Sequence, residues 1–300
     1  MRYRVTHRTE YSYPRTIGRG YNEAHLAPRA TRYQQVRDHR VDIHPMPAYR
    51  SRRTDYFGNG VLHFAIQQPH SLLSVTAISV VELTSPAASI TLAEGTPWET
   101  AGAIISDDRS NSGLEARQFL LDSPLVETRR ALAQYAAPSF PAGRPVPAAV
   151  SDLMGRIHAD FAYDPTATTI STPLERVFRE RRGVCQDFAH LAIACLRSLR
   201  LPARYVSGYV ETTAPPGQSR LVGADASHAW FAVYDPALGW LDYDPTNNRM
   251  PGTQHVTTAW GRDYGDVSPL KGVIFGGSQG QRSEVAVDVE PLDAEEHNRS

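Results

Sequence analysis

One of the two cysteines in the chain stands at the start of a predicted buried helix. The stretch from Phe188 to Leu199 is apolar on more than one face, which is typical of a helix inside a core. Arg200 and Pro202 follow where such a helix should end. In the first turn, Cys185 would feel the positive end of the helix dipole, which favours the reactive thiolate. A structural cysteine that caps a core helix explains the same pattern, so both interpretations stay open here.

A histidine and a carboxylate follow on two predicted strands. Three strands are predicted, over 203–210, Ser227–Tyr234 and Trp240–Asn247. His228 lies near the start of the second strand, and Asp244 lies in the third. Adjacent antiparallel strands place cross-strand side chains about 5 Å apart. Asp244 can therefore orient the His228 ring while the ring faces Cys185. A nucleophile, a base and an orienting group form the generic thiol triad.

Two other residues compete for these positions. His190 lies five residues after Cys185, about 140° around the helix, so it should point away from the thiol. Asp242 lies on the same strand face as Asp244 by the period of two, and the pattern alone leaves that choice open. Asp187 is expected to stabilise the helix start through the dipole.

Metal and disulfide chemistry have little support in the sequence. Cys185 and Cys195 are ten residues apart on one predicted helix, about 15 Å by helix rise, which is too far for a disulfide. Two cysteines without paired spacing also argue against a structural zinc site. The histidines of the first seventy residues match no common zinc motif and are expected to be ordinary strand-face residues. They are His7, His25, His39, His44, His63 and His70.

The composition is that of a globular protein without an evident charged partner. The chain has 300 residues, of which 41% are hydrophobic and 21% charged, so one large or two ordinary domains are expected. Its net charge of -1 predicts no nucleic-acid partner. No apolar run is long enough to span a membrane, and the N-terminus lacks the apolar core of a signal peptide. We therefore expect a cytoplasmic protein with no membrane partner.

Strand patterns dominate the first part of the chain. Alternation over 3–13, 41–44 and 61–66 and a β-branched run over 72–83 are separated by turn signals. Several short strands with this spacing predict a β-sandwich over residues 1–90.

Helical patterns dominate the second part, after a mixed stretch over 91–112 that we expect to be a linker. Residues 113–290 are expected to form a core of helices on an antiparallel sheet, with a closing strand over 284–289, and 291–300 a charged tail. The fold class predicted for the whole chain is α+β. The predicted helices before the cysteine helix cover 114–121, 124–136, 148–161 and 173–181.

Three motifs follow one another along the chain, Gly183–His190, Ser227–Trp230 and Gly239–Asn247. In this order they resemble the core of the bacterial transglutaminase-like superfamily. Any one alone would be a weak signal, but the ordered set is specific. The N-terminal part looks like the β domain that often precedes that core, and together the resemblances cover most of the chain. The N-terminal segments that carry the second resemblance are Tyr3–Tyr13, Leu26–Arg29 and Asp55–Asn59.

The resemblance implies a papain-like α+β core with the cysteine at a helix N-terminus. Carried over by position, Cys185 would be the nucleophile and His228 the general base and acid. Asp244 would be the orienting carboxylate, because the family places it directly before Pro-Thr. The implied reaction is acyl transfer through a thioester from a peptide or glutamine-type amide, to an amine or to water. No metal or other cofactor is implied.

The remaining site residues are less defined. The backbone N–H of Cys185 is one expected oxyanion donor. Gln186 and Tyr163 are the candidates for a further donor or a substrate contact, since Trp98, the nearest tryptophan before the cysteine, is far away in sequence. The loop over 211–225 is expected to shape the substrate pocket. The alternative to a peptide-directed or protein-directed enzyme is a non-catalytic binding module that retained the fold, and the intact triad argues against it.

Overall fold

The computed structural model of the chain describes residues 1–84, 91–212, 227–276 and 280–292. The strands of this part of the chain are β1 (Arg2–Ile17), β2 (Arg19–Ala24), β3 (Gln34–His44), β4 (Tyr49–Thr54), β5 (Gly60–Ile66), β6 (His70–Leu83), β7 (Ala162–Tyr163), β8 (Arg182–Gly183), β9 (Ala203–Val210), β10 (Ser227–Asp235), β11 (Gly239–Tyr243), β12 (His255–Gly261), β13 (Leu270–Phe275) and β14 (Arg282–Pro291). The helices are α1 (Trp98–Asp107), α2 (Asn111–Arg117), α3 (Arg130–Ala136), α4 (Val146–Asp160), α5 (Leu174–Glu180), α6 (Cys185–Ser198) and α7 (Tyr264–Val267).

Two four-stranded sheets form a β-sandwich at the N-terminal end. Their strand orders are β14-β1-β6-β3 and β13-β2-β5-β4. Side chains alternate along the strands, so that every second residue of β6 from Leu73 to Leu83 is buried, as a half-buried strand requires. The two sheets share one core, which includes Ile17, Val41, Ile43, Leu73, Val75 and Ala77 from the first sheet and Ala24, Leu62, Phe64, Ile66 and Leu270 from the second.

The second unit packs helices on a four-stranded antiparallel sheet of order β11-β10-β9-β12. Helix α6 lies between this sheet and the helices α3, α4 and α5. Every residue from Asp187 to Arg197 is therefore buried, which explains why the sequence is apolar on more than one face of this helix. The α+β fold class, with a β-sandwich followed by a helix that bears the cysteine on an antiparallel sheet, is confirmed.

Two features differ from the expected division of the chain. Strand β13 and all but the last residue of β14 lie within 113–290, but neither strand joins the core sheet. Strand β14 pairs with β1 and β13 pairs with β2, so both complete the N-terminal sandwich. Residues 91–112, expected to be a linker, contain α1 and the start of α2. Alternation predicts a strand but not its partner, because pairing joins residues that are distant in sequence.

The two units are joined along β9 and β12 of the core sheet. The side chain of Gln34 donates to the carbonyl of Thr257 at 2.7 Å and accepts the N–H of the same residue at 2.9 Å. His7 is buried and hydrogen-bonds the hydroxyl of Tyr209 at 2.9 Å. A mixed apolar cluster closes the junction and contains Tyr3, Val5, Val81, Leu83, Tyr209, Val256, Val287 and Val289.

The helices are short, and one begins later than predicted. α3 starts only at Arg130, because the carboxylates of Asp122 and Asp263 accept the N–H groups of Thr128 and Leu125 and hold the preceding residues in turns. The longest described helix, α4, has 15 residues, and none of the described helices is long and apolar enough to cross a membrane. Most of the predicted loop over 211–225, and the tail from 293 onward, lie outside the described residues.

Candidate active site

Cys185 is the first residue of α6, where the sequence pattern places it. The carboxylate of Asp187 fixes this helix start, because it accepts the N–H of Val184 at 2.9 Å and the hydroxyl of Thr168 at 2.6 Å. Cys185 itself is partly exposed. The thiol is thus held at the positive end of a helix dipole and remains open to a reactant.

His228 and Asp244 meet across the hairpin of β10 and β11. Phe231 lies opposite Tyr243 in this pair of strands, so Asp244 lies diagonally across from His228, within reach of long side chains. The Nε2 atom of His228 donates to Oδ2 of Asp244 at 2.8 Å. Both residues are buried, Asp244 completely. The predicted pairing of this histidine with this carboxylate is therefore present in the structure.

Five donors surround the carboxylate of Asp244. Its Oδ1 accepts the backbone N–H groups of Thr246 and Asn247 at 3.0 and 3.2 Å. Its Oδ2 accepts from Nδ2 of Asn247 at 2.7 Å and from Nε2 of His255 at 3.0 Å, besides His228. Burial by itself would raise the pKa of this carboxyl, but the hydrogen bonds from His228, His255 and Asn247 hold the pKa well below its usual range. Asp244 is therefore a fixed anion.

The charge of His228 follows from its two partners. Burial would lower the pKa of the ring, but hydrogen bonds to Asp244 and to Cys185 outweigh burial and raise the pKa to about 10. His228 is consequently an imidazolium at neutral pH. Because Nε2 points to Asp244, the other ring nitrogen, Nδ1, is the one available to the thiol.

The two competing residues lie in other environments. Nε2 of His190 accepts the backbone N–H of Tyr264 at 3.1 Å, and burial lowers the pKa of this ring to about 4. The His190 ring is thus neutral and accepts a hydrogen bond from the backbone at the start of α7. Burial raises the pKa of Asp242, against the opposing effect of its cationic neighbour Arg204. Among the described hydrogen bonds, the carboxylate that accepts from His228 belongs to Asp244 and not to Asp242.

Tyr163 and Gln186 both lie near the thiol. The parallel pair of β7 and β8 sets Tyr163 beside Gly183, two residues before the cysteine. Tyr163 is 58% exposed. Partial burial, and to a smaller extent the neighbouring Cys185, raise the pKa of its hydroxyl. Gln186 is the second residue of α6 and is partly exposed. Tyr205, which the sequence did not single out, is buried under the same helix end, and burial and Cys185 raise its pKa well above the usual value.

Two residues that support the carboxylate have no predicted role. Asn247 belongs to the motif that contains Asp244, and a carboxylate that accepts the N–H groups two and three residues later is a common turn signal. Asn247 could have been found in this way. His255 carries no such signal, because it lies on β12 and reaches Asp244 only through the pairing of β12 with β9.

A metal ion is not needed to explain the clustering of these side chains. In the described part of the chain, His228, Asp244 and His255 form a group whose ligand atoms lie within 4.8 Å of one another. Both Nε2 atoms donate to the same carboxylate oxygen, and these hydrogen bonds account for the short spacing. The absence of a metal from the chemistry stays a prediction.

The fold and the site together define an α+β protein in which a helix that begins with a cysteine packs on an antiparallel sheet that carries a histidine–carboxylate pair. Comparison with protein families agrees. Residues 3–82 match the bacterial transglutaminase-like N-terminal region, and residues 133–245 match the transglutaminase-like superfamily. An uncharacterised protein of Mycobacterium tuberculosis is 41% identical over 98% of this chain and 94% of its own length. The chain belongs to the transglutaminase-like superfamily.

Two further similar proteins have names that describe an activity. A protein-glutamine gamma-glutamyltransferase of Pseudomonas aeruginosa is 36% identical over 108 residues, which are 35% of this chain and 16% of that protein. A solved structure from Cytophaga hutchinsonii, provisionally described as a cysteine protease, aligns with a TM-score of 0.75. It covers 98% of this chain and 91% of its own, at 21% identity. This second likeness concerns the fold.

Proposed function

We propose that the protein is a thiol-dependent acyl-transfer enzyme that acts on peptide or glutamine-type amides through a thioester on Cys185. The observation that carries this proposal is the hydrogen bond of His228 to the buried anion Asp244, with Cys185 close enough to His228 to help raise the pKa of its ring. An imidazolium held beside a thiol at a helix N-terminus stabilises the thiolate, which is the reactive form of cysteine. Cys185 is the nucleophile in this proposal, His228 the proton carrier and Asp244 the group that orients His228.

Acylation follows from this geometry. The thiolate attacks the amide carbon, a C–S bond forms, and the carbonyl π electrons move to oxygen. The tetrahedral intermediate collapses by breaking the C–N bond, while Nδ1–H of His228 gives its proton to the leaving nitrogen. The products of this step are an amine, a thioester and a neutral His228 that keeps its Nε2–H on Asp244.

Deacylation reverses these roles. The neutral Nδ1 of His228 takes a proton from the acceptor, which attacks the thioester carbon. The second tetrahedral intermediate collapses by breaking the C–S bond, which regenerates the thiolate and the imidazolium. If the acceptor is water the product is a carboxylic acid, and if it is an amine the product is a new amide.

The oxyanion of both intermediates needs donors near the thiol. The first-turn N–H groups of a helix have no acceptor within that helix, so the Cys185 N–H is the first donor that we propose. Tyr163 and Gln186 are the proposed second donor or substrate contact, because both lie at this helix end and are accessible.

The acceptor is the open half of the reaction. The likeness to a glutamyltransferase over 108 residues supports transamidation, and the likeness in fold to a protein described as a protease supports hydrolysis. We propose a peptide or protein as the acyl donor in either case. The cytoplasmic location predicted from the sequence stays a prediction.

Mass spectrometry of the enzyme with a peptide library tests the proposal. Wild type should form acyl adducts on Cys185 and turn the library over, and a primary amine in the mixture should appear in the products if the enzyme transamidates. Cys185→Ala should form no adduct, whereas Cys195→Ala, which changes a fully buried thiol, should behave as wild type. Full turnover by Cys185→Ala would refute the mechanism. Peptide binding without any adduct in wild type would favour the binding-module alternative.

A further inference from the structure

The carboxylate oxygen that orients His228 is shared with a second histidine. Oδ2 of Asp244 accepts from Nε2 of His228 at 2.8 Å and from Nε2 of His255 at 3.0 Å. His255 is 4% exposed, and its ring packs edge-on against Trp230 with centroids 5.3 Å apart. The two imidazoles therefore compete for one buried anion.

The hydrogen bonds define the protonation of His255. Its Nε2 must carry a hydrogen, because the atom that it meets is a carboxylate oxygen. Its Nδ1 is buried and has no hydrogen-bond partner among the described residues. A buried N–H without an acceptor is costly, whereas a bare ring nitrogen costs less. His255 is therefore the neutral tautomer with hydrogen on Nε2.

Among the described residues, the other charged groups near this ring line two cavities. On one side a cavity of about 320 Å³ is lined by His255 together with Arg32, Arg204 and Asp242. On the other side a cavity of about 390 Å³ is lined by His255 together with Glu211 and Arg249. These groups carry opposite charges in each cavity. Among the described residues, the side chain of His255 has one hydrogen bond, which is to Asp244.

We propose that His255 is a positioning residue, which acts on His228 through the carboxylate that both rings share. The inference rests on the proposed function. The neutral N–H of His255 draws part of the negative charge of Oδ2, which leaves less of that charge to hold the proton on His228. His228 must release that proton to the leaving nitrogen, so a carboxylate without this second donor would hold the imidazolium too strongly.

Three substitutions separate this role from simple packing. His255→Gln keeps an N–H donor at a similar reach, His255→Phe keeps a flat ring without a donor, and His255→Leu removes both. If His255→Leu does not fold, His255→Phe carries the test. NMR titration of ¹⁵N-labelled histidine in the intact enzyme gives the pKa of His228 directly, with its signals assigned by their absence from His228→Gln.

His255→Phe and His255→Leu should raise the pKa of His228 by about one pH unit and lower kcat about tenfold with little change in KM. His255→Gln should leave both the pKa of His228 and kcat close to their wild-type values. A structural role would instead lower activity in all three variants and leave the pKa of His228 where it is, and that result would overturn the proposal. So would an unchanged pKa in a folded His255→Phe.

The titration needs no substrate, so its outcome is independent of the proposed function. If Cys185→Ala retained full turnover while the pKa of His228 still rose in His255→Phe, the acyl-transfer mechanism would fail and the electrostatic coupling would stand. If the triad proved catalytic and the pKa of His228 did not move, only the role of His255 would fail.

Discussion

At the scale of single residues, the state of the site depends on which of two opposing effects prevails at His228. Burial disfavours the charged ring and can shift a pKa by up to about 3–5 units. At His190, which has no carboxylate partner among the described hydrogen bonds, burial is the largest effect and lowers the pKa to about 4, with smaller opposing effects of Asp263 and Arg197. At His228, hydrogen bonds to Asp244 and Cys185 reverse the direction and raise the pKa to about 10. The carboxylate therefore creates the imidazolium.

Replacement of this carboxylate by an amide should disable the reaction. Asp244→Asn keeps the shape but removes the negative charge that holds the proton on His228. We expect kcat/KM to fall about 10³–10⁴-fold and the pKa of His228 to fall, as measured by steady-state kinetics and by NMR titration. Asp242→Asn, two residues earlier on β11, is the matched control and should leave both quantities nearly unchanged. An equal loss in the two variants would contradict the assignment of Asp244.

The raised pKa of His228 also predicts how stability depends on pH. Since the folded-state pKa of about 10 exceeds the unfolded value of about 6.5, the ionised ring stabilises the fold fully below about pH 6.5. This contribution is lost as the pH rises through about 10. The difference in unfolding free energy between wild type and His228→Gln should therefore shrink from pH 6 to pH 10 in urea titrations. A difference that grows with pH would show that the ring is neutral in the folded protein.

The sequence predicts those site residues whose positions follow from local patterns, such as a helix start or a hairpin. An apolar run and its end signals place Cys185 at a helix start, and a hairpin brings the strands of His228 and Asp244 together. The resemblance to the family, and not the pattern, favours Cys185 as the nucleophile and Asp244 over Asp242. Asn247 and His255 were not assigned roles, since their contacts with Asp244 depend on a turn and on a strand that pairs from farther along the chain. The support of the carboxylate is thus a tertiary property.

At the scale of elements, the junction of β8 with α6 positions the thiol. Gly183 is buried there, and a Cβ atom on it would lie 2.7 Å from Oδ2 and 2.9 Å from Cβ of Asp187. Both distances are shorter than real contacts of a Cβ atom. The same Asp187 holds the N–H of Val184. The glycine before the cysteine is therefore required by the close approach of the helix start.

Gly183→Ala should displace this helix start. Asp187 cannot yield without losing its hydrogen bonds to Val184 and Thr168, so we expect a loss of about 1–3 kcal/mol in unfolding free energy and slower alkylation of Cys185. Chemical denaturation and thiol labelling measure the two effects. Gly252→Ala is the control, because a Cβ atom there meets nothing within 4 Å. Unchanged stability and labelling in Gly183→Ala would contradict the predicted crowding.

At the scale of the whole molecule, the end of the chain returns to its beginning. Strand β14 covers the free edge of β1 over ten residue pairs, and an uncovered edge invites association with other chains. Val287 and Val289 of this strand share one apolar cluster with Tyr209 and Val256 of the core sheet. The sequence predicts this closing strand, but its partner could not be read from alternation alone.

A chain that ends at residue 280 should consequently be unstable as a whole. Loss of the buried Val287 and Val289 alone removes about 1.5–3 kcal/mol each, and the edge of β1 becomes exposed. We expect a lower urea midpoint reported by both units, and concentration-dependent association in sedimentation experiments. A chain that ends at Leu292 retains β14 and serves as the control. If the shorter chain were as stable as this control, β14 would make no contribution to the stability of the fold.

The pH profile of Cys185 alkylation by iodoacetamide is the most direct test of the thiolate–imidazolium pair. Wild type and His228→Ala are compared, and the buried Cys195, whose pKa burial raises to about 12, serves as the internal reference. We predict fast labelling of Cys185 that persists well below pH 7 in wild type and disappears in His228→Ala. Slow labelling that rises only above about pH 8 in both proteins, as for an ordinary thiol, would contradict the account.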